Sequence, residues 1–307
     1  MKQRVPVIVG PTASGKTDLA VAVAQKINAQ IINADSMQVY RGLDKGTAKP
    51  TSAQRSCVRF HLVDVVEPQE KFSAKMFAEL ARDAISEISS QGMVPLVCGG
   101  TGLYIKALFG GLFTGPDADT DLRRELEERE RMQPGYLHGR LGETDPEAAR
   151  RIPAGDRLRL VRAIEVNLKT GKTISELQAQ HGFGDRPYDA VMLGLNPPRT
   201  ELYTRIDMRV EAMFAGGLID EVKGLLGEGL DPELPALKAI GYRQVARHLL
   251  GEYDLSEAVR LVKRDTRRFA KRQLTWFRAD PDISWLGDAG CVDEAVRVLS
   301  GQRGGDG

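Results

Sequence analysis

The amino-acid sequence predicts an α/β protein, with a parallel β-sheet flanked by helices and an all-helical insertion domain. Short apolar runs typical of buried strands alternate with segments of helical periodicity, and two of these runs lead directly into glycine-rich turns that open helices. Between about residues 114 and 189 the strand pattern stops, which indicates the insertion. We therefore expect the core at 1–113 and 190–300, the insertion at 114–189 and a disordered tail at 301–307.

The first predicted strand, residues 5–9, leads into a loop and a helix start with the spacing G-x-x-x-x-G-K-T. Gly10 and Gly15 permit backbone angles and close approaches that a Cβ would block. The loop amides form an anion-binding nest at the start of the following helix, Lys16 adds a positive charge, and the Thr17 hydroxyl is placed to hold Mg²⁺. In a P-loop NTPase-like core, a polyphosphate is expected to bind Gly10, Pro11, Thr12, Ala13, Ser14, Gly15, Lys16 and Thr17. The pattern does not distinguish ATP from another diphosphate.

Two later strands are also predicted to end in polar residues. A strand at 29–34 ends in Asp35 and Ser36, and a strand at 94–98 ends in a second glycine turn, 99–102. Ligands bind at the carboxyl ends of parallel strands, so we expect these stretches and the first loop to form one site. The other predicted elements are a strand at 61–66, a helix at 73–91 capped by Ser73, insertion helices at 121–131, 156–170 and 174–181, a strand at 190–195, helices at 199–226 and 255–277, and a strand at 283–286.

Composition limits the function classes. The formal net charge is +1, so any contact with nucleic acid has to come from local charge. The three cysteines are far apart and odd in number, which argues against a disulfide framework or a structural zinc site and favours a reducing compartment. No segment approaches the ~20 apolar residues of a membrane span, and the first residues lack a signal-peptide pattern. We expect a cytoplasmic protein that does not contact membranes.

Positive charge is concentrated at residues 259–278, where eight basic residues and one acidic residue give a net charge of +7. Phe269, Trp276 and Phe277 are interleaved with them. A helix of this kind suits contact with RNA phosphates and unstacked bases; the alternative is a solvated face whose aromatic rings lie in the core. A second, weaker basic stripe in the insertion consists of Arg157, Arg159 and Arg162.

Three functions fit a phosphate-binding loop in this core: an ATP-dependent kinase or NTPase, a transferase that uses another diphosphate, and a non-catalytic RNA-binding protein. An ATPase usually carries a second Mg²⁺-organising carboxylate at the end of a hydrophobic strand. The strand at 94–98 ends without an acid, while Asp35 and Asp64 each follow an apolar run and either could serve. The function of a small-molecule kinase would not explain the basic helix.

Seven motifs, in order over about residues 5–287, resemble those of the tRNA dimethylallyltransferases, also called isopentenyl-tRNA transferases. They lie at 10–17 (GPTASGKT), 35–40 (DSMQVY), 46–50 (GTAKP), 99–104 (GGTGLY), 162–166 (RAIEV), 240–244 (IGYRQ) and 270–276 (AKRQLTW). That family transfers a dimethylallyl group from its diphosphate to N6 of the adenine 3′ of the anticodon in certain tRNAs. The resemblance implies a transferase whose loop, with Mg²⁺, neutralises charge on the leaving diphosphate.

The resemblance also implies roles for individual residues. Asp35 matches the base that takes a proton from the adenine amine, with a helix cap or a water-mediated Mg²⁺ ligand as alternatives. Thr101 matches a residue that supports the reacting groups by hydrogen bonding, unless it only caps the following helix. Lys16 would act with them in catalysis, and Arg209 would bind diphosphate unless it is a helix-surface arginine.

The implied substrates are a tRNA, held at its anticodon stem-loop, and dimethylallyl diphosphate; the implied cofactor is Mg²⁺ on Thr17. A monomer without a protein partner would suffice. The insertion would clamp the anticodon stem, and the C-terminal basic helix would meet its backbone. The residues expected on the tRNA side are Asp35, Ser36, Met37, Gln38, Thr101, Arg123, Leu158, Arg159, Leu160, Val161, Arg162, Lys238, Ala239, Ile240, Gly241, Tyr242 and Arg243.

Overall fold

The chain forms two compact units. The computed structural model describes residues 2–113, 115–182, 186–287, 289 and 291–300. The first unit comprises Met1–Phe109 and Pro187–Gly307, and the second comprises Gly110–Arg186, a few residues earlier at each end than the expected insertion. The expected disordered tail lies outside the described residues.

A six-stranded sheet forms the centre of the first unit. Its strands are β1 (Gln3–Val9), β2 (Ala29–Asn33), β3 (Phe60–His61), β4 (Val94–Gly99), β5 (Tyr188–Leu195) and β6 (Ile283–Leu286). They lie in the order β3-β2-β4-β1-β5-β6, and every neighbouring pair is parallel. The α/β class predicted from the sequence, a parallel sheet flanked by helices, is confirmed.

Helices account for most of the remaining described residues. They are α1 (Lys16–Lys26), α2 (Ser52–Cys57), α3 (Ala74–Ser90), α4 (Gly102–Gly110), α5 (Thr120–Met132), α6 (Tyr136–Thr144), α7 (Pro146–Arg151), α8 (Arg157–Thr170), α9 (Ile174–His181), α10 (Arg199–Ala215), α11 (Leu218–Gly227), α12 (Tyr242–Leu249), α13 (Leu255–Arg278) and α14 (Val292–Ser300). In the described ranges, none of these helices combines the length and apolar character needed to cross a membrane.

The sheet is covered on both faces, which explains the continuous apolar runs of its central strands. Val5, Val7 and Val9 of β1 pack in one cluster with residues of α3 and α4. Ile8 points to the opposite face and packs with residues of α1 and α14. The predicted helix cap at Ser73 is present, because its side chain accepts a hydrogen bond from the Met76 amide.

Two predicted elements differ from the structure. The strand expected at 61–66 ends at His61, because Leu62 and Asp64 adopt positive φ angles of 62° and 58° that turn the chain away from the sheet edge. The helix expected at 199–226 is two helices, α10 and α11. It breaks at Gly217, whose φ of 91° is readily adopted only by glycine.

Within its described residues, the second unit contains the helices α5 to α9 and no strand. The sequence predicts three of these helices, whereas the short α6 and α7 were not anticipated. Asp156, directly before α8, accepts a hydrogen bond from the Arg159 amide, and Asp119 caps α5 in the same way through the Leu122 amide. Leucine, isoleucine and valine side chains from α5 to α9 form the unit's own core.

Candidate active site

The carboxyl ends of β1, β2 and β4 lie side by side, because the strand register pairs Val9 with Gly99 and Asn33 with Cys98. The loop after β1, Asp35 after β2 and the glycine turn after β4 therefore meet at one edge of the sheet. A pocket at this edge is lined by Lys16, Thr17, Ile31, Asn33, Asp35, Gln38, Pro50, Phe60, Cys98 and Gly99. The sequence predicted this convergence from the strand pattern alone.

The loop after β1 has the backbone of an anion-binding nest. Gly15 has a φ of 86° and Ala13 a φ of 64°, so the chain turns tightly before α1 begins. The buried hydroxyl of Ser14 has no hydrogen-bond partner among the described residues. A buried polar atom without a partner is costly, and a phosphate oxygen in the loop would satisfy it.

Two basic side chains reach this loop. Lys16 Nζ donates to the Pro11 carbonyl at 3.2 Å, and burial lowers the pKa of Lys16, an effect that the neighbouring Cys98 and Asp35 oppose. Arg209 of α10 donates from Nη1 to the Thr12 hydroxyl at 3.1 Å, and burial lowers its pKa too. Arg209 is therefore packed against the loop, rather than solvated on a helix surface.

The ends of β2 and β4 are tied together through Thr101. Its hydroxyl accepts from the Ser36 amide at 3.0 Å, and its own amide donates to the Ala34 carbonyl at 3.1 Å. A Cβ on Gly99 would collide with that same carbonyl, so the close approach of the two strand ends requires glycine. Thr101 thus holds the segment that carries Asp35.

Asp35 lines the pocket and also orders its own turn. Its Oδ1 accepts from the Met37 amide at 2.9 Å and, at a longer 3.4 Å, from the Gln38 amide. No hydrogen bond to Oδ2 occurs within the described residues. Asp64, the other candidate carboxylate, binds Lys49 at 2.5 Å and Arg55 at 3.0 Å. Asp64 is thus engaged in ion pairs, and Asp35 is the carboxylate that lines the pocket with Lys16.

Gln273 is a site residue that the sequence reasoning did not single out. It extends from α13 and accepts from the Thr12 amide at 2.8 Å, while its Nε2 donates to the Gly100 carbonyl at 2.9 Å. A Cβ on Gly100 would collide with the same amide nitrogen. The only signal in the sequence was its place in the run 270–276. Gln273 links the phosphate-binding loop to the second glycine turn.

Replacing Gln273 with methionine should disturb both loops while keeping the side-chain volume. The buried Gly100 carbonyl and the partly buried Thr12 amide would lose their partners, at a cost of up to about 1–3 kcal/mol each, and the loops would move relative to each other. We expect the KM for the diphosphate substrate to rise about tenfold and the melting temperature to fall. Steady-state kinetics with differential scanning calorimetry tests this. Thr275→Val on the same helix is the control, because among the described residues its hydroxyl bonds only to the Lys271 carbonyl of α13. Equal kinetics in Gln273→Met and the control would contradict the role of Gln273.

The structure corrects the tRNA-side expectation for three residues. Tyr242 is 0% exposed, and its hydroxyl accepts from the Gly46 amide at 3.1 Å and donates to Glu221 at 2.6 Å. It supports the 46–50 segment instead of presenting its ring to RNA. Leu160 and Val161 are buried in the core of the second unit.

The other residues expected on the tRNA side differ in their hydrogen bonds, ion pairs and exposure. The side-chain Nε2 of Gln38 donates to the carbonyls of Thr47 and Ala48, each at 3.0 Å, so it orders the same 46–50 segment. Leu158 is exposed. Ion pairs in the first unit join Lys238 to Glu233 and Arg243 to Asp265, and a pair in the second joins Arg159 to Asp156.

The basic helix α13 is less positive at its surface than the sequence count suggests. Acidic residues outside the basic run neutralise part of it: Arg267 pairs with Asp207, Lys263 with Glu211, and Arg260 with Glu257. Two aromatic residues of this helix differ in exposure: Phe277 is buried in the core, whereas Trp276 is half exposed. The core position expected for the aromatic rings thus holds for Phe277, and RNA contact by α13 stays a prediction.

In the second unit, Arg123 and Arg162 converge on Glu165, whose side chain is fully buried. Arg123 donates two hydrogen bonds to the carboxylate, at 2.8 and 2.7 Å, and Arg162 donates one at 2.6 Å. Burial by itself raises the pKa of Glu165. The hydrogen bonds from Arg123, from the Asp119 amide and from Arg162 have a larger, opposite effect and lower the pKa to about 2. The two arginines expected to contact tRNA are thus held by one carboxylate.

Glu165→Gln should destabilise the second unit by about 3 kcal/mol at neutral pH, because it removes the charge that two arginines face. The folded-state pKa of Glu165 lies below the usual value of about 4.5, so the stabilisation is complete above pH 4.5 and is lost as the pH falls towards 2. Urea unfolding from pH 7 to pH 3 should show the difference between variant and wild type shrinking. The control is Glu125→Gln, an exposed partner of Arg129 expected to cost under about 1 kcal/mol; a difference independent of pH would contradict this account.

Residues 38–280 match the IPP transferase family. A tRNA dimethylallyltransferase of Geobacter sulfurreducens is 51% identical over 286 residues, which cover 93% of this chain and 92% of that protein. One from Anaeromyxobacter dehalogenans is 50% identical over 92% of this chain and 94% of its own.

Solved structures of similar proteins indicate the same family. The full-length tRNA isopentenylpyrophosphate transferase of Bacillus halodurans is 39% identical, with a TM-score of 0.74 over 98% of this chain and 97% of its own. A eukaryotic dimethylallyltransferase acting on tRNA is 28% identical, with a TM-score of 0.77 over 98% of this chain and 77% of its own. The fold is thus P-loop NTPase-like, and the chain belongs to the IPP transferase family.

Proposed function

We propose that the protein transfers a dimethylallyl group from dimethylallyl diphosphate to N6 of the adenine 3′ of the anticodon in certain tRNAs, releasing diphosphate. The observation that carries the proposal is that Lys16 and Thr17 of the phosphate-binding loop line one pocket together with Asp35. The pocket thus combines a place for a leaving diphosphate with a carboxylate that can accept a proton. The names of the relatives and of the solved structures support the same reaction.

In the proposed reaction, the adenine N6 forms a bond to C1 of the dimethylallyl group as the C1–O bond breaks. The electron pair of that bond leaves on the diphosphate, and the proton of the amine passes to Asp35. Charge therefore grows on the diphosphate in the transition state, where the loop amides, Lys16 and Arg209 stabilise it. The amine needs a base because its lone pair is delocalised into the purine ring.

Mg²⁺ is the proposed cofactor, with the Thr17 hydroxyl as its protein ligand. Thr17 follows Lys16 at the start of α1 and lines the pocket beside Asp35. An oxygen-only donor set that leaves room for water and phosphate oxygens suits Mg²⁺, which keeps most of its own waters. When bound, the ion would supply further positive charge to the diphosphate oxygens.

We assign the tRNA contacts of the first unit to the residues around Asp35 and Thr101 and to Lys238 and Arg243, and those of the second to Arg123, Leu158, Arg159 and Arg162. The target adenine has to leave the anticodon-loop stack before its amine can meet Asp35. We place the reaction in the cytoplasm with its tRNA substrate. We also expect a monomer, because the proposed reaction does not require a second protein chain.

Mixing the purified protein with Mg²⁺, dimethylallyl diphosphate and an unmodified tRNA that has adenine 3′ of the anticodon tests the proposal. Mass spectrometry of the digested RNA should show a five-carbon adduct on that adenine, with diphosphate released in equal amount. Phosphorylation of a small molecule at the expense of ATP, without an adduct, would favour a kinase. Tight tRNA binding with neither product would favour a non-catalytic RNA-binding protein.

A further inference from the structure

Trp276 of α13 is the most exposed aromatic ring beside the proposed site. Its side chain is 49% exposed, and the neighbouring Leu103 is 48% exposed. One edge of the indole lies directly against Gly102, where a Cβ would collide with the ring. A large apolar surface fixed in this way, on a helix and beside an obligatory glycine, is costly to leave in water.

The ring is fixed next to the groups that hold Asp35. Gln273, one turn earlier on the same helix, bonds to Gly100, and Trp276 packs on Gly102. Between these two glycines lies Thr101, whose hydroxyl accepts from the Ser36 amide. The exposed ring is therefore part of the same glycine turn that positions the proposed base.

The charge around the ring indicates what would cover it. Arg272 lies about one turn before Trp276 on the same face of α13, and within the described residues it forms no ion pair. Arg272 lies over the Phe269 ring, with 5.8 Å from its guanidinium carbon to the ring centroid. An arginine without an acidic partner, on the same helix face as an exposed aromatic ring, matches a nucleotide, whose phosphate is anionic and whose base presents a π-face.

We propose that Trp276 is a stacking platform for an unpaired base of the RNA substrate, next to the adenine that is modified. The inference rests on the proposed function, since it requires an RNA at this site. Withdrawing the target adenine from its stack leaves neighbouring bases without a partner. An aromatic ring recovers that stacking without reading the base identity, because every base has a π-face. Trp276 would thus hold the opened loop in place.

Tryptophan fluorescence tests the contact directly, since the chain has only Trp276 and Trp285. Addition of an unmodified anticodon stem-loop should quench the wild-type emission. The quenching should disappear in Trp276→Phe and persist in Trp285→Phe, the matched control, because Trp285 packs on the hydrophobic core. Quenching that is equal in the two variants would overturn the proposal.

Binding and kinetics supply a second measurement. Trp276→Ala should raise the Kd for the stem-loop about tenfold, with Trp276→Phe in between, and leave the KM for dimethylallyl diphosphate unchanged. Each nucleotide that flanks the target adenine can be replaced with an abasic one. At one of these positions the replacement should weaken binding of the stem-loop to the wild type but not to Trp276→Ala. An unchanged Kd with a raised KM for the diphosphate would instead place the ring against the dimethylallyl group and overturn the proposal.

The two proposals fail separately. A wild-type protein that forms no adenine adduct would refute the proposed function, whatever the fluorescence shows. A wild type that forms the adduct, together with a Trp276→Ala variant whose stem-loop Kd lies within twofold of it, would refute the stacking platform alone.

Discussion

Asp35→Asn is expected to lower the kcat for dimethylallyl transfer by about 10²–10⁴-fold, the usual contribution of a positioned general base. The amide cannot take the proton from the adenine amine. Its oxygen can still accept the hydrogen bond that Asp35 Oδ1 receives from the Met37 amide, so the turn after β2 should persist. The KM values for both substrates should therefore change little. Single-turnover rates with labelled dimethylallyl diphosphate measure the chemical step.

Two further variants separate the proton transfer from the turn. Asp35→Ala removes the carboxylate and the turn-forming acceptor together, so its melting temperature should fall below that of Asp35→Asn. Asp83→Asn makes the same chemical change at an exposed position of α3 and should transfer at the wild-type rate. If the transfer rate of Asp35→Asn stayed within fivefold of wild type, Asp35 would not be the base, and its role would be limited to the turn after β2.

Lys16→Met is expected to lower kcat/KM for dimethylallyl diphosphate by about 10²–10³-fold, the usual cost of losing one donor aimed at developing charge. Burial lowers the pKa of Lys16, so its ammonium is held in an environment that disfavours it until a diphosphate arrives. Methionine fills a similar volume without that penalty. The ligand-free variant should thus be at least as stable as wild type, while the rise in melting temperature caused by diphosphate and Mg²⁺ should be lost.

The matched control is Lys26→Met at the other end of α1. Lys26 is about half exposed and pairs with Asp293, so its replacement should change neither kcat/KM nor the ligand-induced rise in melting temperature. If Lys16→Met kept the full ligand-induced rise and lost only stability, Lys16 would be a structural residue of the loop and the diphosphate would bind elsewhere.

Local patterns were enough to predict most of the first unit. Most of β1 and β4 and the centre of β2 are apolar, and the glycine turns that follow β1 and β4 have few backbone alternatives. The rule that parallel sheets bind ligands at the carboxyl ends of their strands then places Asp35 beside the loop from the sequence alone. The strand expected at 61–66 was wrong because Leu62 and Asp64 turn the chain with positive φ angles that β-propensity does not reveal.

Contacts between segments distant in sequence could not be predicted in this way. Gln273 reaches the Thr12 amide across 261 residues, and Arg209 reaches the Thr12 hydroxyl across 197. The charge of α13 looked high in sequence because its partners Asp207 and Glu211 lie on a different helix. Tyr242 belongs to a motif expected on the tRNA side, yet its ring is buried under the 46–50 segment.

The sequence by itself determined the α/β class, the phosphate-binding loop and the resemblance to a transferase family, because each depends on residues close together in the chain. Only the tertiary structure decided which side chains complete the site and which of the basic and aromatic residues remain exposed. Those outcomes depend on packing and charge pairing between helices far apart in sequence, which hydrophobic periodicity does not encode. Gln273, which joins two loops, and Trp276, which stays half exposed one turn later, are the clearest examples.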